Sequence, residues 1–111
     1  MKKENFVRAE LDYELLLIGV LIQKIKENKE QDDLIKKIEN ELDKCENLFN
    51  TKSYKDIRNE AQYFRYRAIL YAYKKEEELK EEYLDKAIDD YKLMNCHKDI
   101  NDLNEIINNI K

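Results

Sequence analysis

The side chains that could do chemistry are few, and their spacing does not favour it. The chain carries one histidine, His97, two cysteines, Cys45 and Cys96, and 25 acidic residues. Cys96-His97 is a neighbouring sulfur–imidazole pair, but a zinc site needs about four ligands around one ion. No spacing selects carboxylates to complete such a set, so no metal is expected. Nor do two cysteines make a disulfide framework; Cys45 reads as a small core residue and Cys96-His97 as a helix end. A Ser–His–Asp set would have to be built around a lone histidine near that helix end. The acid runs Asp32-Asp33, Asp89-Asp90 and the glutamates of 76–82 have no nucleophile or glycine loop beside them, and read as solvated helix faces. No catalytic residue and no cofactor are expected, and the chain reads as a non-enzyme.

One stretch is both basic and aromatic: Arg58, Tyr63, Arg65, Tyr66, Arg67, Tyr71, Tyr73, Lys74 and Lys75. Stacking tyrosines beside phosphate-holding arginines would suit a single-stranded nucleic acid. On a helix, however, Arg58 and Arg65 lie on one side and Arg67 and Lys74 on another, so no phosphate track forms. The balance of 21 basic against 25 acidic residues, net −4, also argues against nucleic acid.

These residues must be positioned by helices. The 111 residues contain no proline and one glycine. Without those breakers the chain cannot supply the turns of a β-sandwich or the loops that cradle nucleotide phosphates. The longest apolar run, Leu15 to Ile22, is far short of the roughly 20 residues of a spanning helix. Glu4, Arg8, Glu10, Asp12 and Glu14 stand where a secretion signal would be apolar. A cytoplasmic, non-membrane protein is expected.

Apolar periodicity predicts an all-α single domain over 1–111. A first helix, from about Asn5 to Asn28, carries two stripes: Val7, Leu11, Leu15, Ile18, Ile22 and Ile25, and opposite them Ala9, Tyr13, Leu16, Leu17 and Val20. Two apolar faces predict packing on both sides. After a turn at Asn28–Gln31, a second helix to Phe49 has one stripe: Leu34, Ile38, Leu42, Cys45 and Phe49. The Asn50–Ser53 stretch breaks the chain, and Ser53 with Asp56 reads as a capping box.

The third helix has Ile57, Ala61, Phe64, Ala68 and Tyr71 on one side, with Tyr63, Tyr66, Leu70 and Tyr73 on the other. A fourth runs from about Lys80 to Met94 through Tyr83, Leu84, Ala87 and Tyr91. A fifth, N-capped by Asp99, carries Ile100, Leu103, Ile106, Ile107 and Ile110. The charge run 74–82 has no turn residue, so the alternative is one rod over 53–94, roughly 60 Å at 1.5 Å per residue.

A shift of 49 residues brings Leu15 onto Phe64, Gly19 onto Ala68, Ile22 onto Tyr71, Ile38 onto Ala87, Leu42 onto Tyr91 and Cys45 onto Met94. It also lays the Asn28–Gln31 turn on Glu77–Lys80, which favours two hairpins over the rod. Phe64, Ala68 and Tyr71, then Ala87 and Tyr91, resemble the two-helix repeat of the tetratricopeptide family, with Gly19 and Ile22 the matching positions of the first half. Ile38 and Leu42 stand in place of alanine and an aromatic, the repeat is longer than the family's 34 residues, and the closing proline is missing. The resemblance spans about residues 10–95. It implies stacked hairpins over 5–49 and 53–95, capped by a helix over 99–110, with a protein or peptide bound on the surface of the first helices.

Eight tyrosines against three phenylalanines add polar handles to the aromatic surface. Tyr13, Leu16, Val20, Arg65, Tyr66, Ile69 and Tyr73 are the expected partner-facing residues. Three roles fit: a protein-binding adaptor, a small regulatory or inhibitory protein that docks on a larger effector, and a bundle that assembles with itself, a homodimer being its simplest form.

Overall fold

Every strong apolar period in the sequence becomes a helix. A computed structural model describes residues 3–27, 31–50 and 56–110, with side chains at 10–27, 31–49 and 56–110. Among these residues the chain is all-α, with α1 (Lys3–Glu27), α2 (Gln31–Asn50), α3 (Ile57–Lys74), α4 (Glu77–Leu93), α5 (His97–Asn108) and no strand. The expected turn at 28–30, the break at 51–53 and the side chains of Val7 and Ala9 lie outside the described residues. The chain divides into two compact units, Met1–Asn59 and Glu60–Lys111.

In the first unit α1 packs on α2. Leu11, Leu15, Ile18, Ile22 and Ile25 of α1 and Ile38, Leu42 and Cys45 of α2 are buried. Each fully buried Leu or Ile contributes about 1.5–3 kcal/mol, so this seam carries the unit. Asp32 and Asp33 in the first turn of α2 meet the positive end of its dipole, and Lys24 and Lys26 sit at the negative end of α1. The second stripe of α1 departs from the expectation of two packed faces. Tyr13, Leu16 and Val20 are 63%, 67% and 47% exposed. The reason is that α2 has one apolar face and covers one side of α1.

The start of α3 also differs from its expectation. Asp56 accepts a hydrogen bond from the Arg58 N–H at 2.9 Å, so Asp56 itself caps the helix and α3 begins at Ile57. Ser53 lies outside the described residues.

In the second unit α3 meets α4 through aromatic rings, and α4 packs on α5. Tyr83 of α4 stacks on Tyr71 at 5.6 Å between centroids and tilts against Phe64 at 6.0 Å. Ala61, Ala68, Leu70, Ala87, Tyr91, Leu103 and Ile107 are buried.

Both turns of this unit are left-handed helix stops built without glycine. Lys75 has φ 61°; its N–H bonds the Ala72 carbonyl at 3.2 Å, and the Glu76 N–H bonds the Tyr71 carbonyl at 3.0 Å. Asn95 has φ 57°; its N–H bonds the Lys92 carbonyl at 3.1 Å, and the Cys96 N–H bonds the Tyr91 carbonyl at 2.8 Å. The single rod over 53–94 is therefore excluded. The turn falls at Lys75–Glu76, and Glu77–Lys80 is the first turn of α4, secured by Lys80 Nζ at 2.6 Å from Glu77. At the next junction α5 starts at His97 with Cys96 in the N-cap position, three residues before the expected Asp99 cap. The stop at Asn95 delivers the chain directly into the new helix, and Asp99 becomes an acid in its first turn.

Candidate functional site

The outer face of α1 is the clearest unused surface in the first unit. Its inner residues point at α2, and the 100° step of the helix then carries Tyr13, Leu16 and Val20 to the opposite side. Leu17 and Gly19 are half-buried at the margins of this stripe. Exposed acids, Glu10 and Asp12, lie towards its N-terminal end, and exposed Lys24 and Lys26 towards its C-terminal end. Asp12 accepts a hydrogen bond from Asn59 Nδ2 at 3.2 Å. Single exposed apolar residues are ordinary; three on one helical stripe make this face the candidate surface of the unit.

The expected contact residues of α3 are in different surroundings. Ile69 is buried, while Arg65, Tyr66 and Tyr73 are half-buried. Arg65 donates to the Tyr91 hydroxyl of α4. Tyr66 accepts from Gln62 Nε2 at 2.9 Å. Burial pushes the Tyr73 hydroxyl above its usual range, and burial does the same to Tyr91 against the lowering effect of Arg65. Arg67, buried, donates its Nε to the Tyr63 hydroxyl at 2.9 Å and lies 5.4 Å from the centre of that ring. The tyrosine-rich composition thus answers in good part to the unit's own needs, the Tyr63, Tyr66 and Tyr91 hydroxyls each being matched to a long polar side chain. Lys86 lies over both Tyr83 and Phe64, at 5.0 and 5.6 Å, and Lys74 over Tyr71 at 5.7 Å.

Sequence reasoning missed two acid pairs. Glu41 and Asp90 are 7% and 8% exposed, although Asp89-Asp90 reads as a solvated face. Asp89 is exposed as expected; Asp90 is not. Glu41 of α2 is hydrogen-bonded to Glu14 of α1, and Lys44 Nζ lies 3.2 Å from Glu41 Oε1. Burial, the hydrogen bond and the Glu41 charge push Glu14 up to about 7. Glu41 is held below the usual range, chiefly by that hydrogen bond and then by Lys44, against the opposing effect of burial. Below about pH 7 Glu14 therefore holds the proton and donates it to the Glu41 carboxylate. In the second unit burial and a hydrogen bond to Glu60 push Asp90 up to about 7. The signal was present, because Glu41 and Asp90 are related by the same 49-residue shift and each stands three residues after a core position, Ile38 or Ala87.

These pairs share protons but have no nucleophile or cation site beside them. Among the described residues no three His, Cys, Asp or Glu side chains gather as a metal site, and no helix is long and apolar enough to cross a membrane. Both cysteines are free; Cys45 is buried, and Cys96 directs its thiol to the Met94 carbonyl at 3.7 Å. What the arrangement offers is a surface. Comparison of the chain with protein-family models, curated proteins and solved structures finds no match.

Proposed function

We propose that the chain is a protein-docking module of the tetratricopeptide-like kind, and that it engages its partner through the outer face of α1. The observation that carries this reading is the stripe Tyr13, Leu16 and Val20, exposed on a helix whose opposite face already has a complete core. Large apolar side chains held in water gain nothing for the fold of the unit; removing them from water on docking gains about 25 cal/mol per Å². The repeat is supported by the equivalence of Glu41 and Asp90, two buried acids that each meet a glutamate of the preceding helix. Fold analogy alone assigns no partner, and the bound class is a protein or peptide because the stripe is apolar and rimmed by charge of both signs.

The test is affinity capture from the native host with the wild-type chain and with Leu16→Glu/Val20→Glu. Both positions are exposed, so the variant should keep its circular dichroism and melting temperature while losing the captured protein. One dominant, stoichiometric target would mark a regulator of a single effector, and several targets an adaptor. Retention of every captured protein by the folded variant would refute the docking face.

A further inference from the structure

Resting on that docking face, we infer that its occupant is a second copy of this chain, with the two α1 helices paired antiparallel about a two-fold axis. The argument comes from the register of charge and apolar residues along α1. Tyr13, Leu16, Val20 and Gln23 follow alternating steps of three and four, the spacing of a coiled-coil seam. An antiparallel pairing that sets Leu16 against the partner's Val20 also sets Tyr13 against the partner's Gln23. The flanking positions then follow from helix geometry. On one flank Glu10 comes beside the partner's Lys24; on the other Asp12 comes beside the partner's Lys26. Each of these four residues is exposed. The residues that must meet their own copies across the axis are Leu17 on the first flank and Gly19 on the second. A leucine can pack on itself, and a glycine lets the backbones approach.

All of these pairings come from one register. A parallel pairing would instead set the acidic ends side by side and the lysine ends side by side, which flanking charges disfavour. The Asn59 bond to Asp12 uses one carboxylate oxygen and leaves the other for Lys26. A seam of three large apolar residues per copy lies at the small end of specific interfaces. The dimer should therefore be concentration-dependent and weakened by salt.

The experiment is sedimentation equilibrium of the full chain and two charge variants, Glu10→Lys/Asp12→Lys and Lys24→Glu/Lys26→Glu. The wild type should pass from monomer to dimer as concentration rises. Each variant alone should stay monomeric, since like charges then face each other on both flanks, and an equimolar mixture of the two should recover the dimer. A second measurement fixes the register: in a Cys96→Ser background, Leu17→Cys should form a disulfide-linked dimer on mild oxidation, and Tyr13→Cys should not. A wild type that stays monomeric at its highest soluble concentration overturns the inference, as does a dimer indifferent to both charge variants. If the homodimer fails while Leu16→Glu/Val20→Glu still abolishes capture of another protein, the docking face stands and only its occupant is wrong. If that variant also leaves capture intact, both readings fall.

Discussion

Replacing Glu14 by glutamine removes a proton-dependent cost from the seam of α1 and α2 while keeping its hydrogen bond. In the wild type Glu14 Oε2 and Glu41 Oε2 are buried and receive no other hydrogen bond, so the contact between them needs a shared proton. The folded-state value of Glu14 is raised from 4.5 to about 7. The folded protein therefore binds more protons than the unfolded chain between those values, and stability falls as pH rises through that window. At about 1.36 kcal/mol per unit, the full shift sets an upper bound of roughly 3 kcal/mol. Glu14 is only half-buried, and solvent screening together with Lys44 reduces the expected cost to about 1–2 kcal/mol. A glutamine amide donates to the Glu41 carboxylate at every pH. Glu14→Gln should thus stabilise the chain by about 1–2 kcal/mol at pH 8 and be nearly neutral near pH 5.

Urea unfolding followed by circular dichroism, for wild type and variant at half-unit steps across that range, gives the difference directly. Subtraction cancels the contribution of Asp90, which is common to both proteins. Because Asp90 is also raised to about 7, the double variant Glu14→Gln/Asp90→Asn should flatten the remaining slope. A Glu14→Gln effect of constant size across pH, or a destabilisation at pH 8, would refute the shared-proton account.

Three further outcomes follow from burial and backbone geometry. Lys75→Gly relieves a left-handed residue that costs an L-amino acid roughly 1–2 kcal/mol, so it should stabilise the second unit by about 1 kcal/mol in denaturant unfolding; a loss of stability would contradict the helix stop. Ala68→Leu inserts three heavy atoms at a fully buried position and should cost about 1–3 kcal/mol, read as a lower midpoint at unchanged m-value. Leu15→Ala and Leu16→Ala are adjacent and chemically identical, yet thermal unfolding at concentrations where the chain is monomeric should show a loss of about 2–5 kcal/mol for the first and within about 0.5 kcal/mol for the second, because one is 2% and the other 67% exposed.

The helices were legible because apolar spacing reports angle around an axis, and Leu11-Leu15-Ile18-Ile22-Ile25 is a full core stripe. The same spacing does not say what stands at each angle. Tyr13-Leu16-Val20 repeats as regularly, and only the single apolar face of α2 decides which stripe becomes core. The end of α4 was legible from the polar residues that follow Met94, whereas the end of α3 was not, because there the backbone turns against its own preference. Lys75 takes the conformation usually left to glycine, and its neighbours, Lys74 and Glu76–Glu78, resemble the interior of a solvated helix. The cost is local, while the paired bonds to the Ala72 and Tyr71 carbonyls and the Tyr71–Tyr83 stack close the hairpin. Tertiary packing overrides propensity at that residue.

The acid pairs were hidden, and the exposure of the outer stripe of α1 was only half legible, for a common reason: both depend on a helix that lies elsewhere in the sequence. Glu41 looks like one more surface carboxylate until Glu14 is brought against it, and its burial follows from position between Ile38 and Leu42. Tyr13 and Leu16 look like core until α2 is found on the other side. A helix serving only its own hairpin would gain solubility from charge at 13, 16 and 20, at little cost to the seam with α2. Tyrosine, leucine and valine stand there instead, with acids at 10 and 12 and lysines at 24 and 26, and this is the pattern on which the proposed interface rests. The inner stripe specifies the hairpin, and under the function proposed above the outer stripe, with its opposed charges, specifies what the hairpin meets.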